Sequence, residues 1–366
     1  MTHMRGEDPA PEIGVISGFV LKALRGAIGH TQAGLAEHLA IDVSTVQGWE
    51  SGRRPLSALR AADLTRLRLR LAALGAPLDA AALLIEAVDA DVILTMLAQP
   101  SSQSLPSAAH PLGTSVHRRT LVSLLTWPFT GIAPRPLRHL PWPRSRGPVS
   151  DRPVLDPSLR SAVFDHVLAA AERAIAPEDG LLRRQAAYLL GFDQRSGTHD
   201  WLSAEYKRAI GAAPARGDAV ATIHGRSAAL AIARRGDRDP LRMFIDVTLA
   251  DDAHAEVNLT YWAYWLGEIP AEYADDHSMI RHGQHAWAGN RLLDHLLHHL
   301  DDPRNGQLNV HSLATVVAAR PALLSQNPAA RAEAARCVET ALDGNMGRHA
   351  THDLNNVRYA IRLAER

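Results

Sequence analysis

Eleven of the chain's 22 prolines fall between residues 99 and 157, about a sixth of its 366 residues. Proline has no amide hydrogen to donate, and its ring clashes with the preceding helical turn, so this stretch cannot be mostly regular helix. It divides the chain into a flexible N-terminus (1–14), a helical N-terminal region (15–98), a Pro/Arg-rich linker (99–157) and a helical C-terminal region (158–366). One apolar island, residues 121–129, lies inside the linker and is expected to dock on a domain.

On both sides of the linker apolar residues recur at helical spacing. Val20, Leu21, Leu24 and Ile28 share one face, and Leu35, Ala36 and Leu39 another. Leu64, Leu67, Leu71 and Leu74 repeat over a helix that Gly75 should stop, and a further helix over 79–98 runs into Pro100. Beyond the linker Val163, Val167, Ala170 and Ala174 line one face. Asp156-Pro157 and Asp239-Pro240 read as an N-cap followed by proline at the first helical position, and Gly191 and Gly236 as helix stops. Further helices are expected near 200–210, 218–235, 253–266, 276–300, 311–319, 328–342 and 352–364. No strand alternation stands out, so the expected fold class is all-α. Pairs of short helices without a fixed period fit a C-terminal bundle or an α-solenoid-like domain.

The formal net charge is zero, but the charge is uneven. Residues 110–152 carry seven Arg and one acid, residues 53–70 six Arg and one acid, and residues 153–366 carry 23 basic and 27 acidic side chains. A single cysteine, Cys337, excludes an intramolecular disulfide and a cysteine-based zinc site. The N-terminus has no signal-peptide core, and the longest apolar stretch falls well short of the ~20 residues needed to span a bilayer. A cytoplasmic protein without membrane contact is expected.

The densest signal is the segment TQAGLAEHLAIDVSTVQGWESGRRP, residues 31–55. Thr31 caps a short helix that packs through Leu35, Ala36 and Leu39. A turn of three to four residues follows. Asp42 caps a second helix, which Val46 and Trp49 anchor. Val43, Ser44, Thr45, Gln47, Gly48 and Ser51 are left facing outward, where a helix can enter a major groove and read base edges. Gly52 ends this helix ahead of Arg53 and Arg54.

This segment resembles the Cro/C1-type helix-turn-helix of lambda-repressor-like (XRE) regulators. Thr31, Gln32, Leu35, Ala36, Thr45, Val46, Trp49, Glu50, Gly52 and Arg54 match the family pattern. The resemblance covers residues 19–56, about a sixth of the chain at most. It implies a lambda-repressor-like helical domain and a sequence-specific transcriptional regulator whose recognition helix, 43–51, enters double-stranded DNA. It further implies that Gln32 contacts a phosphate or flanking base, that Val43, Ser44 and Gln47 face base edges, and that Ser51, Arg53 and Arg54 hold the backbone. Trp49 and Glu50 take structural roles. Such units bind operators as homodimers with half-sites about one helical turn apart.

Three positions depart from the pattern. Ala40 replaces the turn glycine, where a positive φ costs alanine about 1 kcal/mol or more. Gly34 removes the acidic residue of a capping box. Gly48 weakens the reading helix by ~1 kcal/mol, unless it admits a close backbone approach.

Other features carry competing readings. Arg118, Arg119, Arg135, Arg138, Arg144 and Arg146, interleaved with Trp127 and Trp142, suit a phosphate-contacting arm, a membrane-surface segment, or a linker paired with the acidic C-terminal region. His282, His285, His295, His298, His299, His349 and His352, with Asp294 and Asp301, have spacings a metal site can use, but no HExxH occurs. His199-Asp200 and His352-Asp353 are the pairs a phosphohydrolase would need. Tyr261, Trp262, Tyr264 and Trp265 form either the C-terminal core or the wall of an effector pocket, with Trp287 downstream and Asn258, Glu268 and Arg291 as polar partners. The effector classes open to it are a small molecule, a peptide and a partner protein.

No P-loop, nucleophile elbow or dinucleotide fingerprint occurs, so neither catalysis nor a cofactor is expected. The alternatives to a DNA-binding regulator are a helical interaction scaffold with an auxiliary DNA-binding unit and a His-rich metal-dependent hydrolase.

Overall fold

The computed structural model describes residues 13–99, 109–141, 150, 152–216, 218–344 and 347–365, with backbone alone at 212–216. The described residues are helical throughout, without strands. They form two compact units, residues 1–182 and 183–366.

Unit one contains α1 (Val15–Ala27), α2 (Gln32–Leu39), α3 (Val43–Glu50), α4 (Ala61–Ala73), α5 (Leu78–Ala98), α6 (Pro111–Ser115), α7 (Arg119–Thr130) and α8 (Pro157–Arg173). The 21-residue α5 is its hub, and α1, α4, α7 and α8 all pack on it. The apolar face of α1 is buried at Val20, Leu21 and Leu24 but only half-buried at Ile28. On α4, Leu67 and Leu71 are buried, while Leu64 and Leu74 are half-buried, and Gly75 ends the helix at φ 101°.

The stretch expected as linker is more ordered than its proline content suggests. The apolar island is α7, a helix that runs through Pro128 and buries Leu121, Leu124, Leu125 and Trp127. It docks on α1 and α5, with Trp127 edge-on to Phe19 at 5.3 Å between ring centroids. Pro111 starts a helix instead of breaking one, and Pro157 starts α8 as the Asp156-Pro157 reading expects, because N1 has no intrahelical hydrogen bond to lose. Asp156 caps α8 by accepting from Ser158 N at 2.9 Å. The face Val163, Val167 and Ala170 is buried, and Phe164 meets Phe129 at 5.3 Å. The helix α8 therefore belongs to unit one, and the division falls near residue 182 instead of 157.

Across the division runs α9 (Gly180–Leu190). Unit two then holds α10 (Ser196–Arg216), α11 (Ala219–Arg234), α12 (Asp239–Met243) leading into a π-helical turn (Phe244–Thr248), α13 (Asp252–Trp265) and α14 (Asp276–Gly283). It ends with α15 (Asn290–Leu297), α16 (Gly306–Ala319), α17 (Ala322–Ser325), α18 (Pro328–Leu342) and α19 (Arg348–Ala364). The helices α10, α11, α13, α16, α19 and α18 each contact the next in that order. Every residue of α11 from Ala221 to Ala233 is buried, which makes it the central helix.

The single helix expected over 276–300 is two: α14 ends at Gly283, and α15 starts after Gly289, its N-cap, at φ 101°. At the Asp239-Pro240 start the N-cap is Arg238, one residue earlier than expected, and Asp239 instead pairs with Arg242 at 3.0 Å. No helix among the described residues is long and apolar enough to cross a membrane.

Candidate nucleic-acid interface

The helices α1, α2 and α3 are tied together by one buried carboxylate. Glu50, at the end of α3, accepts from Arg25 Nε at 2.5 Å and Arg25 Nη2 at 3.0 Å, and from Gln32 Nε2 at 2.7 Å. The Arg25 and Glu50 side chains are only 10% and 4% exposed. Arg25 also donates to the carbonyl of His30 at 2.7 Å, closing the α1–α2 turn. A bidentate Arg–carboxylate pair in this setting fixes geometry as well as charge. Backbone contact tightens the arrangement further, since a Cβ on Gly18 would lie 2.3 Å from the Trp49 carbonyl. The start of α1 is held from α5: Asp91 accepts from Ile16 N at 3.0 Å and Ser17 N at 2.9 Å, and Thr95 accepts from Ile13 N at 2.9 Å. Burial pushes the Asp91 carboxyl up to about 7.

Between α2 and α3 the chain turns at Ala40, whose φ of 55° and ψ of 47° are left-handed. It is the one non-glycine residue with positive φ among the described residues. The amides of Ala40 and Ile41 donate to the carbonyls of Glu37 and Ala36, so the strained residue closes α2 with satisfied hydrogen bonds. At the other end of α2, Thr31 Oγ1 accepts from Gly34 N at 3.0 Å. Asp42 occupies the N-cap of α3, yet its side chain makes no capping bond, contrary to its expected role.

The face of α3 away from this clamp presents Val43, Ser44 and Gln47, all exposed, with Ser51, Arg53 and Arg54 exposed just beyond. The other expected positions behave differently. Gln32 donates one amide hydrogen to Glu50 at 2.7 Å, which leaves its second N–H for a phosphate or a flanking base. Thr45 is half-buried and accepts from Arg54 Nη1 at 3.1 Å, so it positions that arginine. Gly48 is buried instead of outward-facing: Arg54 folds back across it, and a Cβ there would meet Arg54 Cδ at 2.9 Å. Ser51 donates to the Gly48 carbonyl at 3.2 Å and accepts from Arg53 Nε at 3.1 Å.

The sequence pattern missed the Arg25 clamp and the Asp91–Thr95 hold on α1. Its trace of the first was the structural role that the resemblance implies for Glu50.

Elsewhere the expected features resolve into local structure. Arg118 pairs with Asp89 at 3.1 Å and lies 3.8 Å from Glu86, both on α5. Arg138 donates to the Ala133 carbonyl at 2.8 Å. Trp142, Arg144 and Arg146 lie outside the described residues. His295 stacks on His299 at 4.2 Å and His282 on Tyr273 at 6.4 Å. No group of three metal-ligating side chains occurs among the described residues.

In the aromatic run Tyr261 and Tyr264 are buried in the core of unit two, with Trp262 and Trp265 packed against it. Of the polar partners expected there, Glu268 accepts from Gly289 N and Leu292 N at the start of α15, and Arg291 donates to the Gly267 carbonyl. Both therefore hold a turn instead of lining a pocket. Asn258 is buried beside Arg226.

Compared with family models, with curated proteins and with solved structures, the chain has no match.

Proposed function

We propose that unit one binds specific double-stranded DNA as a Cro/C1-type helix-turn-helix regulator of transcription, with α3 in the major groove. The observation that carries this is the two-sidedness of α3. One side is fixed through Glu50 to Arg25 and Gln32, while the other leaves Val43, Ser44 and Gln47 exposed and clear of the clamp. A short rigid helix bearing a free amide suits base-edge recognition, because Gln can pair with the N6 and N7 edge of adenine. Arg53 and Arg54 follow at the end of α3, where they supply the phosphate contacts that give binding its salt dependence.

Gln32 keeps one amide N–H for a phosphate or flanking base beside its bond to Glu50, and Thr45 acts through Arg54. One such helix reads too few bases to be selective in a genome, so the protein works as a homodimer on two half-sites about one helical turn apart.

The test is selection of duplexes from a random pool by the purified full chain. A recurring motif in two spaced halves is expected. Retention of the pool without a shared motif, or none above competitor DNA, would count against both the regulator and its dimer.

A further inference from the structure

The π-helical turn of unit two, Phe244–Thr248, is closed by Leu249 N donating to the Phe244 carbonyl at 3.1 Å. Turns of this kind are rare and occur frequently at functional sites. Here Ile245 and Asp246 of the turn line a groove of about 240 Å³, facing the first turns of α19, with Arg242 of α12 and Gln307 of α16 completing it. The groove lies wholly within unit two and opens to solvent, since Arg242, Asp246 and Arg348 are exposed along it. Ile245 and Ala350 are buried and give it an apolar lining.

Charges of both signs line this groove without pairing across it. Arg242 donates from Nη1 to Asp239 at 3.0 Å, away from Asp246, and keeps Nε and Nη2. Arg348 forms no ion pair among the described residues. Asp353 meets His311 Nδ1 through Oδ2 at 3.3 Å and keeps Oδ1. Asp246 lies 3.8 Å from His349, too far for a hydrogen bond. A simple anion placed here would face Asp246 and Asp353, and a simple amine would face the two arginines; each juxtaposes like charges. A ligand carrying both a carboxylate and an ammonium meets each side with its opposite. The groove is smaller than the roughly 300–1,000 Å³ of drug-sized sites, which restricts that ligand to a small one.

We propose that the groove binds a free α-amino acid with a small apolar side chain. Its carboxylate lies at Arg242 and Arg348, its ammonium at Asp246 and Asp353, and its side chain over Ile245 and Ala350. The site stands independently of DNA binding, and its test does not use DNA.

Thermal unfolding of the full chain is followed with L-valine and L-leucine, and with isovalerate and isobutylamine, which keep only the carboxylate or only the amine of valine, at equal ionic strength. A ligand that binds only the folded state raises Tm according to its occupancy. A saturable rise at millimolar concentration is expected with at least one amino acid, and a several-fold weaker response with either single-charge compound. Arg348→Gln and Asp246→Asn alter exposed side chains, so both should unfold near the wild-type Tm without ligand, and each should weaken the apparent affinity several-fold. If one variant fails to fold, the other decides. No saturable rise with either amino acid, an equal response to isovalerate or isobutylamine, or an unchanged affinity in either folded variant would each overturn the site.

Discussion

Ala40 turns the chain between α2 and α3 in a region of φ and ψ that an alanine occupies only at a cost. Replacing it with glycine should raise the unfolding free energy by about 1 kcal/mol, as read by urea denaturation; a loss would show that the left-handed backbone is not strained here. Glu50 is the opposite case, a residue whose removal leaves a cost behind. Glu50→Ala strands Arg25 in a site where its side chain is 10% exposed, and should cost about 3–5 kcal/mol. The double variant Arg25→Met, Glu50→Met should lose much less, because no charge is left unpaired; equal losses in single and double variants would contradict the clamp. The strain at Ala40 was legible through the family resemblance, whose pattern puts glycine at that turn position. The Arg25–Glu50 pair was not, since its partners are 25 residues apart and meet only when α1 crosses α3.

Among elements, the start of α1 depends on α5 through Asp91, whose carboxyl moves from 3.8 to about 7 mainly because it is buried. Between those values the folded protein holds a proton that the unfolded chain has released. The stabilisation is full below about pH 4 and is lost as pH rises through about 7. The stability difference between wild type and Asp91→Asn should therefore fall by up to about 1.4 kcal/mol per pH unit across that window. A flat difference would contradict the buried proton. The comparison must be a difference because His110, lowered to about 4 chiefly by its burial, acts with the opposite sign. Its neutral form is favoured by folding, so its contribution grows as pH rises from about 4 to 6.5.

Element boundaries were least legible where proline was read only as a breaker. Pro111 sits at a first helical position, and Pro128 is tolerated in α7 because Leu121, Leu124, Leu125 and Trp127 are buried around it. Apolar spacing was the better guide, since Val163, Val167 and Ala170 are buried as their periodicity requires.

At the scale of the whole molecule, two helical units divide near residue 182, where the sequence carries no composition change to mark it. Within unit one the exposed side chains of α3 separate into those that would read bases and those that would hold phosphates. Gln47→Ala should cost ~1–3 kcal/mol on a preferred duplex and little on others. Arg53→Ala should weaken binding to every sequence alike and reduce its salt dependence. The most direct measurement is selection of random duplexes by wild type and Gln47→Ala in parallel. The predicted result is a motif for wild type that loses its base preference at one position of each half-site in the variant. Identical motifs from both proteins, or no motif from either, would contradict α3 as the element that reads DNA.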